Sequence, residues 1–257
     1  MSHEPSTEPA PRAFVVPCKV LDSGAPWRWL RAGWRDVCRA PALTLSFGGA
    51  IVLVSIGVGW LGYALGRFAL LATLLSGFVF VAPLICVGLY CVSRALEQGR
   101  APRLADSFVL ARRVLGQAGV YALGQGVIIL LWSRAGMMVS AFFPFDGSDP
   151  GVFWEFLALG SCVGAVFATL TFAVTAFSLP MIADRDVDMV TAAVSSVHAV
   201  MRNKRVMLLW GLLLATVTAI GFATAFLGLA VLMPWLAYAT WHAYRDTLDA
   251  SGWPSLP

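Results

Sequence analysis

The chain has 257 residues, of which 59% are apolar and 12% are charged, with a net charge of +4 and a mean hydropathy of +0.78. A soluble domain is about 45–50% apolar and roughly 25% charged, so this chain has too few charges to cover a water-exposed surface. The composition excludes a disordered or collagen-like chain and argues against a soluble enzyme. It predicts an all-α membrane protein, and in that setting the basic balance does not indicate a nucleic-acid partner.

Residues 1–22 contain several prolines among polar residues, so we predict a flexible N-terminal tail, with 14–16 as a local anchor. No 7–15-residue apolar core follows a positive start, so we expect no cleavable signal peptide and the first span serves as the insertion signal. The five cysteines form no CxxC pair, which favours neither a zinc site nor a disulfide framework.

Six apolar segments are predicted to cross the membrane, within a membrane domain at 23–246 and before a tail at 247–257. A helix needs about 20 apolar residues to cross a hydrocarbon core of roughly 30 Å. The segments lie at about 43–64, 68–92, 117–141, 153–179, 206–222 and 226–244. The last two could instead form one long helix, but Gly221 and Gly228 flank the break between them and favour two.

The basic residues support this topology. With six spans and the N-terminus inside, all of the 18 lysines and arginines except Arg67 and Arg134 fall in inside segments. Cytoplasmic segments of membrane proteins carry an excess of Lys and Arg, so we predict that both termini face the cytoplasm.

Amphipathic patterns precede the first, third and fifth spans. In the first, Trp27, Leu30, Trp34 and Cys38 are predicted to share one helical face. Four arginines flank that face: Arg28, Arg31, Arg35 and Arg39. Rings at headgroup depth and guanidiniums near phosphates are typical of an interfacial helix.

The two further patterns lie near 104–115 and 187–201, so the chain reads as three copies of one unit. Each unit is an interfacial helix followed by a hairpin of two spans. Pro83, Pro180 and Pro234 fall in or at the end of the returning spans, and Pro83 and Pro234 each lie eleven residues before an arginine. A proline would bend each helix there.

A family resemblance is carried by several segments of the chain. They are SLPMIADRDVDMVTA from Ser178, MRN from Met201, Trp210-Gly211, AFLGL from Ala225, Pro234, ATWHAYR from Ala239, AGWRD from Ala32 and VGLYCVSRALE from Val87. From about Trp27 to Arg245 the chain resembles the bacterial integral membrane proteins of domain-of-unknown-function family 2189. The resemblance implies six spans in the inner membrane of a Gram-negative bacterium. It implies no activity, and His198 stands where a basic residue is expected in relatives.

Arg134 is the sharpest candidate for a functional charge. If the third helix continues to Ala141, Arg134 lies within the outer leaflet, where a charge is costly and often functional. Glu155, at the start of the fourth span, is its natural partner, and Asp146 and Asp149 are rivals. The arginine could anchor the interface or clamp the hairpin, or it could belong to an anion or headgroup site.

The remaining polar residues offer weaker candidates. His198 and His242 could in principle ligate haem, but interfacial positions explain them better. Asp184, Asp186 and Asp188 could bind a cation. However, they lie at the predicted start of a helix, where carboxylates are common because they cap the free backbone N–H groups. We therefore assign no catalytic, metal or cofactor-binding residue.

The sequence favours a non-enzymatic scaffold or accessory factor that binds other inner-membrane proteins or anionic lipid at the cytoplasmic face. The alternative is a small-solute transporter or channel with a cavity between the hairpins, where helix breaks at Pro83 and Pro234 open backbone carbonyls to a substrate. The two differ in whether the sparse polar residues of the spans converge on one cavity.

Overall fold

The computed structural model describes residues 14–65, 85–142 and 150–256, and this part of the chain is all-α apart from two isolated β-bridges. The helices, in chain order, are α1 (Ala25–Arg39), α2 (Pro41–Leu65), α3 (85–97), α4 (Leu104–Arg113), α5 (Leu115–Phe142), α6 (Pro150–Thr175), α7 (Ser178–Asp184), α8 (Met189–Arg202), α9 (Lys204–Ala223) and α10 (Leu229–Thr247). The predicted all-α class is therefore confirmed.

Four stretches of the described residues are long and apolar enough to cross a membrane. They are Pro41–Val58, Leu115–Val139, Trp154–Asp184 and Lys204–Ala223. These correspond to the predicted first, third, fourth and fifth spans. Most of the second predicted span, 68–92, lies outside the described residues, and α10, at the predicted sixth, is not among the four.

The long helices turn large apolar side chains outward. In an 18-residue apolar segment of the stretch Trp154–Asp184 only 6% of the residues are buried within the protein. Leu53, Leu130, Val166 and Leu208 are each about two-thirds exposed or more. Soluble proteins rarely expose contiguous apolar surface of this extent, so these faces are suited to contact with lipid.

Each long helix that follows a short helix is separated from it by one residue. The junction residues are Ala40 between α1 and α2, Val114 between α4 and α5, and Asn203 between α8 and α9. The short helix ends in an arginine every time, at Arg39, Arg113 and Arg202. The same short-helix, long-helix arrangement therefore occurs three times, as the sequence pattern predicts.

The short helices α4 and α8 each pack against a helix of the preceding predicted unit. They do so through a small residue at an equivalent position. A small residue stands eight positions before each following long helix: Gly33, Ser107 and Ser196. Ser107 Oγ donates to the Gly88 carbonyl on α3 at 3.0 Å. Ser196 Oγ donates to the Ala173 carbonyl on α6 at 2.7 Å.

Gly33 completes this series by packing against the last helix. A Cβ at position 33 would lie 2.6 Å from the backbone nitrogen of Ala239 and 2.9 Å from the carbonyl oxygen of Trp235, both on α10. Only glycine permits so close an approach of two helices. Because α1 contacts α10 in the way that α4 contacts α3 and α8 contacts α6, the three units close into a ring.

The short helices, α3, α7, the end of α6, the start of α9 and the C-terminal part of α10 share one apolar cluster, which we call the basal layer. Its largest fully buried side chains include Trp29, Trp210, Tyr238, Trp241 and Phe177. Such rings bury the most surface per residue and stabilise the layer accordingly.

Both terminal segments pack into the basal layer. Val16 is fully buried, and its backbone N–H donates to Ser195 Oγ on α8 at 3.0 Å. Cys18 pairs with Leu248 in a β-bridge, and Trp253 is buried. Within the predicted flexible tail at 1–22, residues 16–21 form long-range backbone hydrogen bonds, and the buried Val16 belongs to the predicted anchor at 14–16. Residues 1–13 lie outside the described part.

The turn between α9 and α10 confirms the predicted break in the last apolar segment. Residues 224–228 leave the helix, and Ala225 and Phe226 have φ angles of 51° and 69°. Thr224 Oγ1 donates to the Gly221 carbonyl and accepts from the Gly228 N–H, both at 2.7 Å. Two separate helices result, α9 and α10, and the alternative of a single long helix is excluded.

Candidate functional site

Helix α1 has a buried face and an exposed face, and the sequence pattern predicted the wrong face for one residue. The buried residues are Ala25, Pro26, Trp29, Leu30, Gly33 and Asp36. Trp27, Trp34 and Cys38 are exposed, as the interfacial pattern predicts. The placement of Leu30 with them is wrong, because Leu30 packs towards α10, where its carbonyl accepts from Trp235 Nε1 at 2.8 Å.

The exposed apolar stripe recurs on the other two short helices. On α4, Leu104 and Phe108 are exposed, whereas Ser107 and Leu110 are buried. On α8 the exposed apolar residues are Val190, Val194 and Met201, whereas small residues such as Ala192, Ser195, Ser196 and Ala199 are buried. Small side chains let helices approach closely, so the large apolar side chains are left facing outward.

Two aromatic contacts fix α1 on its neighbours. Trp29 stands edge-on to Trp210 with ring centroids 5.4 Å apart, and its Nε1 donates to Asp246 Oδ2 at 2.9 Å. Trp34 stands edge-on to Trp235 at 5.4 Å, while 45% of Trp34 stays exposed. Edge-to-face pairs of this kind add to the energy of burial.

The four predicted lipid-contact arginines divide into two groups. Arg28 pairs with Asp22 at 2.7 Å and lies 3.6 Å from Asp246. The hydrogen bonds from Arg28 and from the Gly24 N–H lower the pKa of Asp22 to about 2. Arg31, Arg35 and Arg39 are exposed, and the ion pairs formed within the described ranges do not involve them. Three guanidiniums therefore stand beside two exposed tryptophans.

A second cluster of charges lies in the basal layer, and we call it the arginine pocket. Its centre is Asp184, whose side chain is 7% exposed. Arg185 Nε lies 3.0 Å and Arg245 Nη1 3.5 Å from Asp184 Oδ2, and Arg94 Nε lies 3.6 Å from Oδ1. Tyr244 donates its hydroxyl hydrogen to Asp184 Oδ2 at 2.9 Å.

The wall of the pocket comes from α3, α10 and the C-terminal segment. Glu97 accepts from Trp241 Nε1 at 3.0 Å and from Arg245 Nε at 3.1 Å. The Leu256 carbonyl accepts from Arg94 Nη2, and the Trp253 carbonyl accepts from Arg185 Nη1 at 2.9 Å. The resulting cleft has a volume of about 670 Å³.

Sequence reasoning missed the arginine pocket, although a signal was present. Arg94 and Arg245 each follow a proline by eleven residues, which places one arginine at the end of the first and of the last returning helix. The ring arrangement brings these ends together, and Arg185 follows α7 in the remaining unit. A charge at the same place in every unit would have indicated a shared site.

The carboxylates near the start of α8 have different roles. Asp188 caps α8, as predicted, because its Oδ1 accepts from the Thr191 N–H at 2.9 Å. Burial raises the pKa of Asp188, but hydrogen bonds from Thr191 outweigh it and the net shift is downward. Asp184 ends α7 instead, so capping is the wrong explanation for it. Within the described ranges, no three His, Cys, Asp or Glu side chains are grouped as a metal site would require.

Arg134 and Glu155 lie on neighbouring helices of one hairpin. Helix α5 continues to Phe142, so Arg134 is inside a helix, as expected if the third span is long. Both side chains are exposed, and the ion pairs within the described ranges do not include one between them. The loop at 143–149, with the rival Asp146 and Asp149, lies outside the described residues. Pairing of Arg134 with Glu155 stays a prediction.

The two candidate histidines, His198 and His242, occupy different environments. His198 is exposed on α8. His242 lies on α10 with Nε2 2.8 Å from Asp36 Oδ2 on α1, and Ser93 Oγ donates to the same oxygen at 2.8 Å. The side chain of His242 is 24% exposed and that of Asp36 is 5% exposed. His242 therefore joins helices instead of lying free at an interface.

The exposed apolar helices and the charged basal layer define a multi-pass helical membrane protein. The comparison with known families agrees: residues 70–184 match the family described as a predicted integral membrane protein (DUF2189). The resemblance noted in the sequence is confirmed over that segment. No curated protein and no solved structure matches the chain.

Proposed function

We propose that this protein is a non-enzymatic scaffold or accessory factor of the bacterial inner membrane, with six spans and the basal layer on the cytoplasmic side. In this proposal α1 binds the phosphates of anionic lipids, and the outward faces of the spans remain available to other membrane proteins. One observation carries the proposal: Arg31, Arg35 and Arg39 are exposed beside the exposed rings of Trp27 and Trp34.

The geometry of this face supports lipid binding for two reasons. Tryptophan rings favour the headgroup region, where one end meets hydrocarbon and the other meets water. Each basic residue near an anionic surface contributes about 1 kcal/mol of binding free energy. The exposed apolar stripe of α4 provides a further contact of the same kind, beside Arg112 and Arg113 at the helix end.

The topology of the proposal rests on the distribution of charge. The short helices end in Arg39, Arg113 and Arg202, and the arginine pocket also lies in the basal layer. Positive charge on cytoplasmic segments is the general rule for inner-membrane proteins. We therefore place the basal layer and both termini in the cytoplasm.

A transporter or channel is the second hypothesis. It would require polar residues of the spans to surround one cavity. The cleft between α5 and α6 is instead lined by apolar side chains that include Ile128, Ile129, Trp132 and Phe167, with Thr171 as the polar exception. This lining supports the scaffold.

The proposal is tested by replacing Arg31, Arg35 and Arg39 together with Gln in the full chain, while Arg28 is kept because it holds Asp22. Purified protein is titrated in neutral detergent with short-chain phosphatidylglycerol, and binding is followed by native mass spectrometry. We expect a loss of up to about 3 kcal/mol, or roughly 100-fold, at low salt.

The matched control replaces the same three arginines with Lys, which keeps the charge. Because the mechanism is electrostatic, the Lys variant should retain most of the affinity and should lose it as salt rises. Equal binding of phosphatidylglycerol by the wild type and the Gln variant would contradict the proposal.

A further inference from the structure

The arginine pocket carries more positive charge than its own carboxylates neutralise. Four arginines line the cleft: Arg94, Arg100, Arg185 and Arg245. Among the described residues, the carboxylates that line it are Asp184 and Glu97. Guanidiniums stay charged at all physiological pH values, so a cluster with this excess favours an added anion.

The hydrogen-bond inventory of the pocket leads to the same conclusion. Asp184 Oδ2 already accepts from Tyr244 and Arg185 at 2.9 Å and 3.0 Å. Arg94 Nε is buried without a hydrogen-bond partner, since its distance of 3.6 Å from Asp184 Oδ1 exceeds that of a hydrogen bond. A buried charged donor left unsatisfied is costly. Asp184 therefore does not satisfy the arginines around it.

Two of the guanidiniums donate hydrogen bonds to uncharged backbone carbonyls, at positions where an anion could be bound. Arg94 and Arg185 donate to the backbone carbonyls of Leu256 and Trp253. A carbonyl oxygen carries only a partial charge, whereas a phosphate offers several strongly charged oxygens in a geometry that matches the guanidinium fork. The more exposed side of the cleft, at Arg100 and Arg245, provides the entrance.

We infer that the arginine pocket binds a phosphate group. Arg245 and Arg100 contact it from the open side, and Arg185 and Arg94 provide positive charge from the buried side. The volume of about 670 Å³ exceeds what a bare phosphate needs, so the pocket accommodates a phosphate ester. The ester is either a lipid headgroup or a soluble molecule, and the chemistry at the arginines is the same for both.

The site is separate from the lipid-binding face proposed for α1. None of the four arginines belongs to α1, and none of the α1 arginines lines the pocket. Failure of either proposal therefore leaves the other standing, and each can be tested with variants of its own.

The test uses the full chain in neutral detergent. Thermal melting is measured in sodium phosphate against sodium chloride at equal ionic strength, and separately with short-chain phosphatidylglycerol against short-chain phosphatidylcholine. We expect stabilisation by at least one phosphate probe. Stabilisation by inorganic phosphate alone indicates a soluble ligand, and stabilisation by phosphatidylglycerol alone indicates a headgroup; stabilisation by neither overturns the inference.

Variants decide whether the response comes from the pocket. The double variant Arg100→Gln with Arg245→Gln should bind the active probe about tenfold more weakly. Arg202→Gln, an exposed arginine on α8 that does not line the pocket, is the matched control and should bind as the wild type does. If the double variant fails to fold, Arg100→Gln alone is used, because the Arg100 side chain is exposed and its hydrogen bonds within the described residues go to the nearby Gln98.

Two results would overturn the assignment. One is unchanged phosphate binding in the folded pocket variant. The other is an equal loss of binding in Arg202→Gln, which would show that phosphate responds to the overall positive charge instead of this cleft. The α1 variant with Gln at 31, 35 and 39 should bind inorganic phosphate as the wild type does, which separates this site from the proposed function.

Discussion

Asp36 on α1 and His242 on α10 meet with Oδ2 and Nε2 2.8 Å apart, and together they join the first and last helices of the chain. Ser93 on α3 donates to the same carboxylate oxygen at 2.8 Å. Because Asp36 Oδ2 acts as the acceptor for Ser93, the tautomer of His242 that matches this arrangement carries its hydrogen on Nε2. One buried side chain thus connects three helices that belong to the first and third units of the ring.

Replacing Asp36 with Ala should destabilise the protein by about 2–3 kcal/mol, because two polar partners lose a buried acceptor. The measurement is thermal or denaturant unfolding in detergent. Ser93→Ala is the control and should cost about 1 kcal/mol, since it leaves the Asp36–His242 contact intact. If the Asp36→Ala variant unfolds at the same temperature or denaturant concentration as the wild type, the contact does not stabilise the ring.

Two adjacent glycines in α2 offer a test of how α2 packs on α10. A Cβ at Gly48 would overlap the carbonyl oxygen of Ala230, whereas a Cβ at Gly49 would meet nothing within 4 Å. Gly48→Ala should therefore cost about 1–3 kcal/mol through overpacking. Gly49→Ala should be neutral or stabilising by up to about 1 kcal/mol, because alanine favours the helix.

Unfolding of the two variants in the same detergent provides the measurement. The comparison is well matched because both changes add one methyl group to neighbouring positions of one helix. Equal stability of the two variants would mean that α10 does not lie against α2 at Gly48.

The ion pair between Arg28 and Asp22 should hold the start of α1 over the whole physiological pH range. A carboxylate with a lowered pKa stabilises the fold above its ordinary value of 3.8 and loses that effect as pH falls towards about 2. We expect hydrogen exchange at residues 24–28 to be constant between pH 5 and 8, after correction for intrinsic rates, and protection to weaken below about pH 4.

Asp22→Asn is the companion variant for that measurement. It should raise exchange at residues 24–28 already at neutral pH and leave global unfolding nearly unchanged, because both partners of the pair are exposed. Unchanged exchange in this variant would contradict an anchoring role for the pair.

Asn203, the junction residue between α8 and α9, also holds the N-terminal segment. Its Oδ1 accepts from the Leu21 N–H at 2.8 Å, and its Nδ2 donates to the Lys19 carbonyl at 3.0 Å. Asn203→Ala leaves these backbone groups without a partner, at a cost of about 1–3 kcal/mol. We expect faster tryptic cleavage after Lys19.

Asn203→Asp provides the control for this prediction. The carboxylate still accepts from Leu21 but cannot donate to Lys19, so its cleavage rate should lie between those of the wild type and Asn203→Ala. Cleavage at the same rate in all three proteins would show that the segment is held by Val16 and its neighbours alone.

Much of the helical plan was accessible from the sequence. The predicted first, third and fifth spans agree with α2, α5 and α9 within a few residues, because long apolar runs bounded by arginines define a span without reference to any partner. The break at 222–225 was also accessible, because glycines on both sides of a short interval favour a turn.

In the fourth apolar segment the sequence did not predict the helix boundary correctly. A single helix was predicted to run to Leu179, yet α6 ends at Thr175 and α7 begins at Ser178. Ser196 from α8 accepts from the Phe177 N–H at 3.1 Å at this interruption. A side chain from a distant part of the chain thus contacts the break, and no local pattern in the sequence shows that contact.

Sequence alone determined that the helices are apolar, how long they are and where the basic residues concentrate, since these depend only on composition along the chain. Only the tertiary structure decided that α1 closes against α10 and that Arg94, Arg185 and Arg245 meet around Asp184. In a membrane protein lipid covers apolar faces as well as protein does, so hydrophobic periodicity does not say which face is inside. Small residues at close contacts and buried charges specify that choice, and they exert their effect only when distant segments are brought together.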